Sequence, residues 1–172
     1  MKLLLAAALI AASTPVAAEV VRSSPHGFEI RHTIDVPLQP QAALAAFEKV
    51  AAWWEPDHTY SGKSENLRLT LAHGSCFCEV LPNGGGVEHM RVSFFQPGER
   101  VVLTGSLGPL LYEATTGVMD VQVKPARAGS QLILNYRTAG FFNGGADKLA
   151  APVDGVLGTQ MRRLADYARR AR

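Results

Sequence analysis

The sequence predicts an α+β domain in which a curved antiparallel sheet of about six to seven strands wraps around a long C-terminal helix. Two observations carry this. From Phe28 onward, strand-length runs follow one another closely, separated by glycine- and proline-rich turns. From about Ala151 to Arg170 the apolar residues instead recur at helical spacing: Val153, Val156, Leu157, Met161, Leu164, Tyr167 and Ala168. An antiparallel sheet must bury its apolar face, and this helix is the only element long enough to cover it. A twisted sheet around one helix leaves a gap between them, a common place for ligands.

Each element has its own signal. Phe28, Ile30, His32, Ile34 and Val36 alternate with Glu29, Arg31, Thr33 and Asp35, a period-two strand stopped by Pro37. A helical insertion follows from about Pro40, with Ala43, Leu44, Phe47, Val50 and Ala51 as its apolar stripe. Leu67–Ala72 is the next strand. Cys76–Leu81 and Val87–Phe95 form a hairpin around Pro82-Asn83-Gly84-Gly85-Gly86. Arg100–Leu107, Glu113–Lys124 and Gln131–Gly140 complete the sheet, and Pro152 fits the first turn of the last helix.

The first eighteen residues, MKLLLAAALIAASTPVAA, have the layout of an export signal. Lys2 is the positive start, Leu3–Ala12 the apolar run, and Val16-Ala17-Ala18 the small-residue site, with cleavage expected before Glu19. The run is about half the ~20 residues that cross a bilayer. The expected product is a single periplasmic domain over residues 19–172. Cleavage removes one lysine and no acid from 17 Lys+Arg and 15 Asp+Glu, leaving a net charge of +1. Such a small excess implies no nucleic-acid partner. Export excludes functions that need cytosolic ATP or genomic DNA.

Cys76 and Cys78 are the only cysteines. In a regular strand they share a face at roughly 6.5–7 Å, long for a disulfide. The spacing favours two buried thiols over a disulfide, with a metal-bound pair third. Counting outward from the Asn83-Gly84-Gly85 turn sets Glu79 opposite His89, Phe77 opposite Arg91 and Cys78 opposite Met90. One face then reads Cys76, Cys78, Met90, Val92 and Phe94, and the other Phe77, Glu79, His89 and Arg91. A one-residue slip across the glycines would break this pairing.

Several local motifs together resemble the START-like, or SRPBCC, superfamily, in its bacterial polyketide cyclase/dehydratase-like branch. They are Trp53-Trp54 followed by His58-Thr59-Tyr60-Ser61-Gly62, and Cys76-Phe77-Cys78-Glu79 facing Val87-Glu88-His89-Met90. Further along come Gly105-Ser106-Leu107-Gly108-Pro109-Leu110, Asn135-Tyr136-Arg137 with Gly140, and Val153-Asp154-Gly155-Val156-Leu157. The resemblance spans about Phe28 to Arg170. It implies the helix-grip fold and a cavity under the C-terminal helix that takes lipids, polyketides or other apolar molecules.

Three functions are compatible with these features. The first is binding of a hydrophobic small molecule or lipid. The second is a cyclase-, dehydratase- or hydrolase-type enzyme on an apolar substrate, which needs two titratable groups converging in the cavity. The third is an envelope interaction or stress protein with a filled interior. Candidate acid/base residues are Glu79 with His89, and His58 with Tyr60, whose hydroxyl could donate to a ligand carbonyl. Candidate ligand contacts are Trp53, Trp54, Tyr60, Met90, Phe94, Tyr112, Tyr136, Phe141 and Gly155. Gly155 and Gly158 stand inside a helix, where glycine costs roughly 1 kcal/mol relative to alanine; close approach of another element or room for a ligand would explain them. No cofactor motif is present, and His58, Glu79 and His89 match no metal-ligand signature. The arginines at the end of the last helix complement its dipole, with transient contact to an anionic membrane surface as the second reading.

Overall fold

A computed structural model describes residues 17–171. One antiparallel sheet of eight strands runs in the order β1-β2-β8-β7-β6-β5-β4-β3. The strands are β1 (Ala17–Ser24), β2 (Gly27–Val36), β3 (Leu67–Arg68), β4 (Cys76–Val80), β5 (Gly86–Gln96), β6 (Arg100–Gly105), β7 (Ala114–Ala126) and β8 (Gly129–Phe141). Two helices, α1 (Pro40–Glu48) and α2 (Val50–Trp53), follow β2, and α3 (Asp147–Arg170) closes the chain. Among the described residues, no helix is long and apolar enough to cross a membrane.

The strand count exceeds the expectation because β1 precedes the first alternating run. Residues 17–24 pair with β2 from Ala17↔Thr33 to Ser24↔Gly27, so the helical insertion follows the second strand. Residues 1–16, most of the expected export signal, lie outside the described residues. Helix α3 starts a turn earlier than its apolar spacing suggested, which places Pro152 inside the helix and not in its first turn.

The alternation read in β2 holds: Phe28, Ile30, His32, Ile34 and Val36 are buried against the core. From α3, Leu157, Met161, Leu164, Ala165 and Ala168 pack onto it. The β4–β5 hairpin departs from the expected register. Cys76 faces Arg91 and Phe77 faces Met90, but Cys78 faces Glu88 and Glu79 faces Val87. His89 is the extra residue of a β-bulge, which bends its strand and re-aims its side chain. The expected face of β4 is therefore reversed, while β5 keeps Met90 and Val92 inward and adds His89 to them. Phe77, Glu79, His89 and Met90 all point inward, and the cysteines point outward. A second irregularity between Val92 and Phe94 turns Phe94 out to solvent.

Cys76 and Cys78 form a disulfide across 5.4 Å between Cα atoms. This overturns the expectation of two buried thiols. The bulge lies opposite this stretch, and the strand is contracted below the regular two-residue repeat. The grouping of both sulfurs with the exposed Glu88 carboxylate carries no metal chemistry, because disulfide sulfurs are not thiolates.

The two helical glycines separate. A Cβ on Gly158 would sit 3.0 Å from Cε1 of His32, which is fully buried, so this glycine admits the imidazole between sheet and helix. Gly155 is on the outer face with open space around it, so it makes no room for a ligand. Gly158→Ala is expected to destabilise the domain by about 1–3 kcal/mol through overpacking. Gly155→Ala should stabilise it by up to ~1 kcal/mol through helix propensity. Urea unfolding of both variants checks the pair, and equal effects would refute the assignment.

Candidate functional site

A cavity of about 520 Å³ lies between the N-terminal half of α3 and the inner face of the sheet. Leu149, Val153, Val156 and Leu157 line it from α3. Leu67, Phe77 and His89 form its floor, and Leu107 to Leu110 form the opposite rim. The segment Trp54 to Tyr60 supplies the remaining wall, with Asp57 and His58. The lining is overwhelmingly apolar. Its spacing on α3 is the i, i+4, i+7, i+8 stripe of an amphipathic helix.

Asp57, His58, Tyr60 and Glu113 are polar members of the lining, and His89 in the floor belongs to a buried pair with Glu79. Glu79 is almost fully enclosed and accepts backbone N–H bonds from Tyr60 at 3.1 Å and Ser61 at 2.6 Å. His89 Nε2 lies 3.2 Å from Glu79 Oε2. Burial pushes the Glu79 carboxyl up, but the donors at Ser61, Tyr60 and His89 outweigh it and hold the group below its usual range. For His89 burial dominates over the favourable carboxylate, and its pKa is lowered. The pair is therefore a carboxylate and a neutral imidazole at neutral pH. The bond expected from a directly opposed Glu79 and His89 exists, but the bulge makes it. Glu79 stands behind His89 and does not line the cavity.

His58 lines the wall and is held from α3. Gln160 Oε1 accepts the Glu55 N–H at 2.8 Å, so its amide Nε2 donates to His58 Nδ1 at 2.9 Å. Gln160 carried no sequence signal, since a glutamine on an apolar helix face becomes interpretable only once its partners are placed. The same loop is clamped by Arg163, which donates to the Trp53 carbonyl at 2.7 Å and pairs with Glu55 at 2.9 Å. Arg163 is thus structural, and Arg162 and Arg169 bond Thr159 and Asp166 on their own helix.

Of the proposed ligand contacts, Trp54 and Tyr60 line the cavity together with His58 and His89. The Tyr60 hydroxyl donates to the Gly108 carbonyl at 2.9 Å, tying the loop to the opposite rim rather than waiting for a ligand carbonyl. Trp53 is a core residue, its ring tilted against Phe47 and its indole N–H donating to the Ala46 carbonyl. Met90 and Tyr136 are fully buried in the core away from the lining. Tyr136 lies over Gly117, where a Cβ would come within 2.9 Å of its hydroxyl, and burial raises its pKa to about 12. Phe94 and Phe141 are exposed, and so is Tyr112, whose ring meets Tyr60 edge-on at 6.2 Å. These three side chains, like Gly155, stand outside the cavity.

His32 forms a second buried site. Its Nε2 is 2.9 Å from Asp154 Oδ1 on α3, and burial lowers its pKa despite that carboxylate, with Arg162 adding to the lowering. A histidine whose folded pKa is depressed contributes stability that is complete above its unfolded value, near 6.5, and lost as the pH falls below it. Stability is therefore expected to be level above about pH 7 and to fall progressively below about pH 6.5 as His32 and His89 are forced to charge. Thermal melts across that range check this, with a smaller slope expected in His89→Phe. A flat profile would contradict the buried neutral state of both rings.

The fold is similar to that of solved bacterial proteins. A protein of Rhizobium loti superimposes with a TM-score of 0.59 at 20% identity, covering 85% of this chain and 99% of its own. CalU16 of Micromonospora echinospora gives 0.58 at 10% identity, with 88% and 86% covered. A protein of Mesorhizobium loti gives 0.58 at 14% identity, with 81% and 95% covered. The likeness at these identities shows the fold alone, a sheet with a C-terminal helix consistent with the helix-grip arrangement. No family model matches the chain, and no curated protein matches it.

Proposed function

We propose that the protein binds a hydrophobic small molecule or lipid in the cavity between the sheet and α3, and does so in the periplasm after export. The observation that carries this reading is the cavity itself, about 520 Å³ with a predominantly apolar wall. That volume falls in the range of small-molecule sites, which use many apolar walls and a few placed polar groups. It also speaks against an interior filled by its own side chains. The START-like resemblance supports the same class of ligand, and the layout of residues 1–18 supports export. Cleavage before Glu19 would leave Glu19–Ser24 to pair with β2.

Native mass spectrometry of the protein isolated gently from periplasm tests both parts. The expected result is a chain beginning at Glu19 with a bound apolar mass released on denaturation. A chain retaining residues 1–18 would overturn the export reading. Failure to take up any apolar molecule on loading would overturn the binding reading.

The Glu79–His89 pair favours a second reading, general-base catalysis on an apolar substrate. A carboxylate-oriented neutral imidazole in the cavity wall is suited to accept a proton. Binding is preferred because the wall is predominantly apolar and the Tyr60 hydroxyl, one of the two candidate acids, is already bound to the Gly108 carbonyl.

A further inference from the structure

The protonation of the Glu79–His89 pair constrains what the cavity accepts. Glu79 already takes two backbone N–H bonds and is a carboxylate, able only to accept. The hydrogen in the contact with His89 must therefore sit on Nε2. In a neutral imidazole this leaves Nδ1 as a bare lone pair. His89 is 4% exposed and lines the cavity, and its buried Nδ1 has no hydrogen-bond partner among the described residues. The neighbouring groups offer it no donor. The Phe77 ring is centred 5.1 Å away and the Tyr60 ring 5.8 Å away, and the Tyr60 hydroxyl is committed to Gly108. The other imidazole in the wall, His58, accepts from Gln160 at Nδ1 and makes no hydrogen bond to His89 Nδ1. A buried acceptor left unmatched is costly, so a ligand that supplies a donor there is favoured over one that does not.

We propose that the molecule held in the cavity is a lipophilic alcohol or phenol, with its hydroxyl donating to His89 Nδ1. This rests on the reading of the cavity as a site for apolar molecules and adds the functional group. A ketone, ester or ether of the same shape presents only lone pairs to a lone pair. A carboxylate places a second negative charge beside Glu79 in an apolar enclosure, which is unfavourable to both.

The test compares 1-naphthol with 1-methoxynaphthalene, which differ by the single donor, through their fluorescence on titration with the full protein. The ratio of their affinities in the wild type is expected to be about tenfold greater than in His89→Phe, with the change in naphthol binding alone. Equal ratios in the two proteins would overturn the proposal and leave the apolar cavity standing. If neither probe binds, the cavity reading fails and this proposal fails with it. Nitrogen-15 spectra of wild-type His89 give a reading that needs no variant. Saturating naphthol should move Nδ1 upfield from its free lone-pair position and leave the protonated Nε2 nearly in place. Bound naphthol with an unmoved Nδ1 would refute the hydrogen bond.

Discussion

Val156→Trp is expected to lower the affinity for any apolar ligand by at least about tenfold, a loss of roughly 1.4 kcal/mol or more, while the domain stays folded. Val156 is half-buried on the α3 face that lines the cavity, where added bulk takes space the ligand needs and displaces no core side chain. A fully packed position would answer with overpacking strain of about 1–3 kcal/mol; a position facing about 520 Å³ of space should not. The informative result is the pairing of lost binding with a melting temperature within a few degrees of wild type. Gly155→Leu, one residue away on the outer face, serves as the control and should retain full affinity. If Val156→Trp binds as well as wild type, the cavity is not the ligand site. If it unfolds, the space beneath α3 is smaller than described.

Glu79→Ala should be among the most destabilising single changes in the chain, by about 3–5 kcal/mol. The alanine leaves the Tyr60 and Ser61 N–H groups and the His89 Nε2–H buried together without an acceptor. Glu79→Gln retains one acceptor oxygen but turns an amide NH₂ toward a remaining donor, and is expected to cost a smaller ~1–3 kcal/mol. Urea unfolding with an unchanged m-value separates loss of stability from a change in the compactness of either state. The pH dependence has a definite sign. The lowered carboxyl contributes stability that is complete above its unfolded value, near 4.3, and lost as the pH falls below it toward the folded value. The difference between wild type and Glu79→Gln should therefore shrink on acidification. A constant difference down to pH 3 would show that Glu79 is not held as a carboxylate.

The local periodicities were legible because they depend only on which face of an element is apolar. The alternation of β2, the helical stripe of α3 and the hairpin turn at Asn83, whose φ of 62° lies in the left-handed region, are properties of adjacent residues. They suffice for an antiparallel sheet covered by a C-terminal helix, and for a gap between the two. The identity of Val153, Val156 and Leu157 as inward-facing follows from the same stripe. Residues 17–24 were not legible as a strand, since their pairing with β2 is a partnership rather than a pattern.

Register was decided only in three dimensions. One extra residue at His89 reverses the expected face of β4 relative to β5, because side chains alternate with a period of two. That bulge takes the two cysteines out of the interior and puts Phe77 and Glu79 into it, and a second irregularity between Val92 and Phe94 turns Phe94 out. The bulge at His89 also converts a surface pair into a buried carboxylate–imidazole contact with one nitrogen free. The aromatic residues Trp53, Tyr112, Tyr136 and Phe141 fit a cavity wall by type, yet the fold sends two to the core and two to solvent. Composition specifies how much apolar surface must be buried. Which apolar residues close on each other, and which are left facing a space, depends on the curvature of the sheet and on where α3 crosses it.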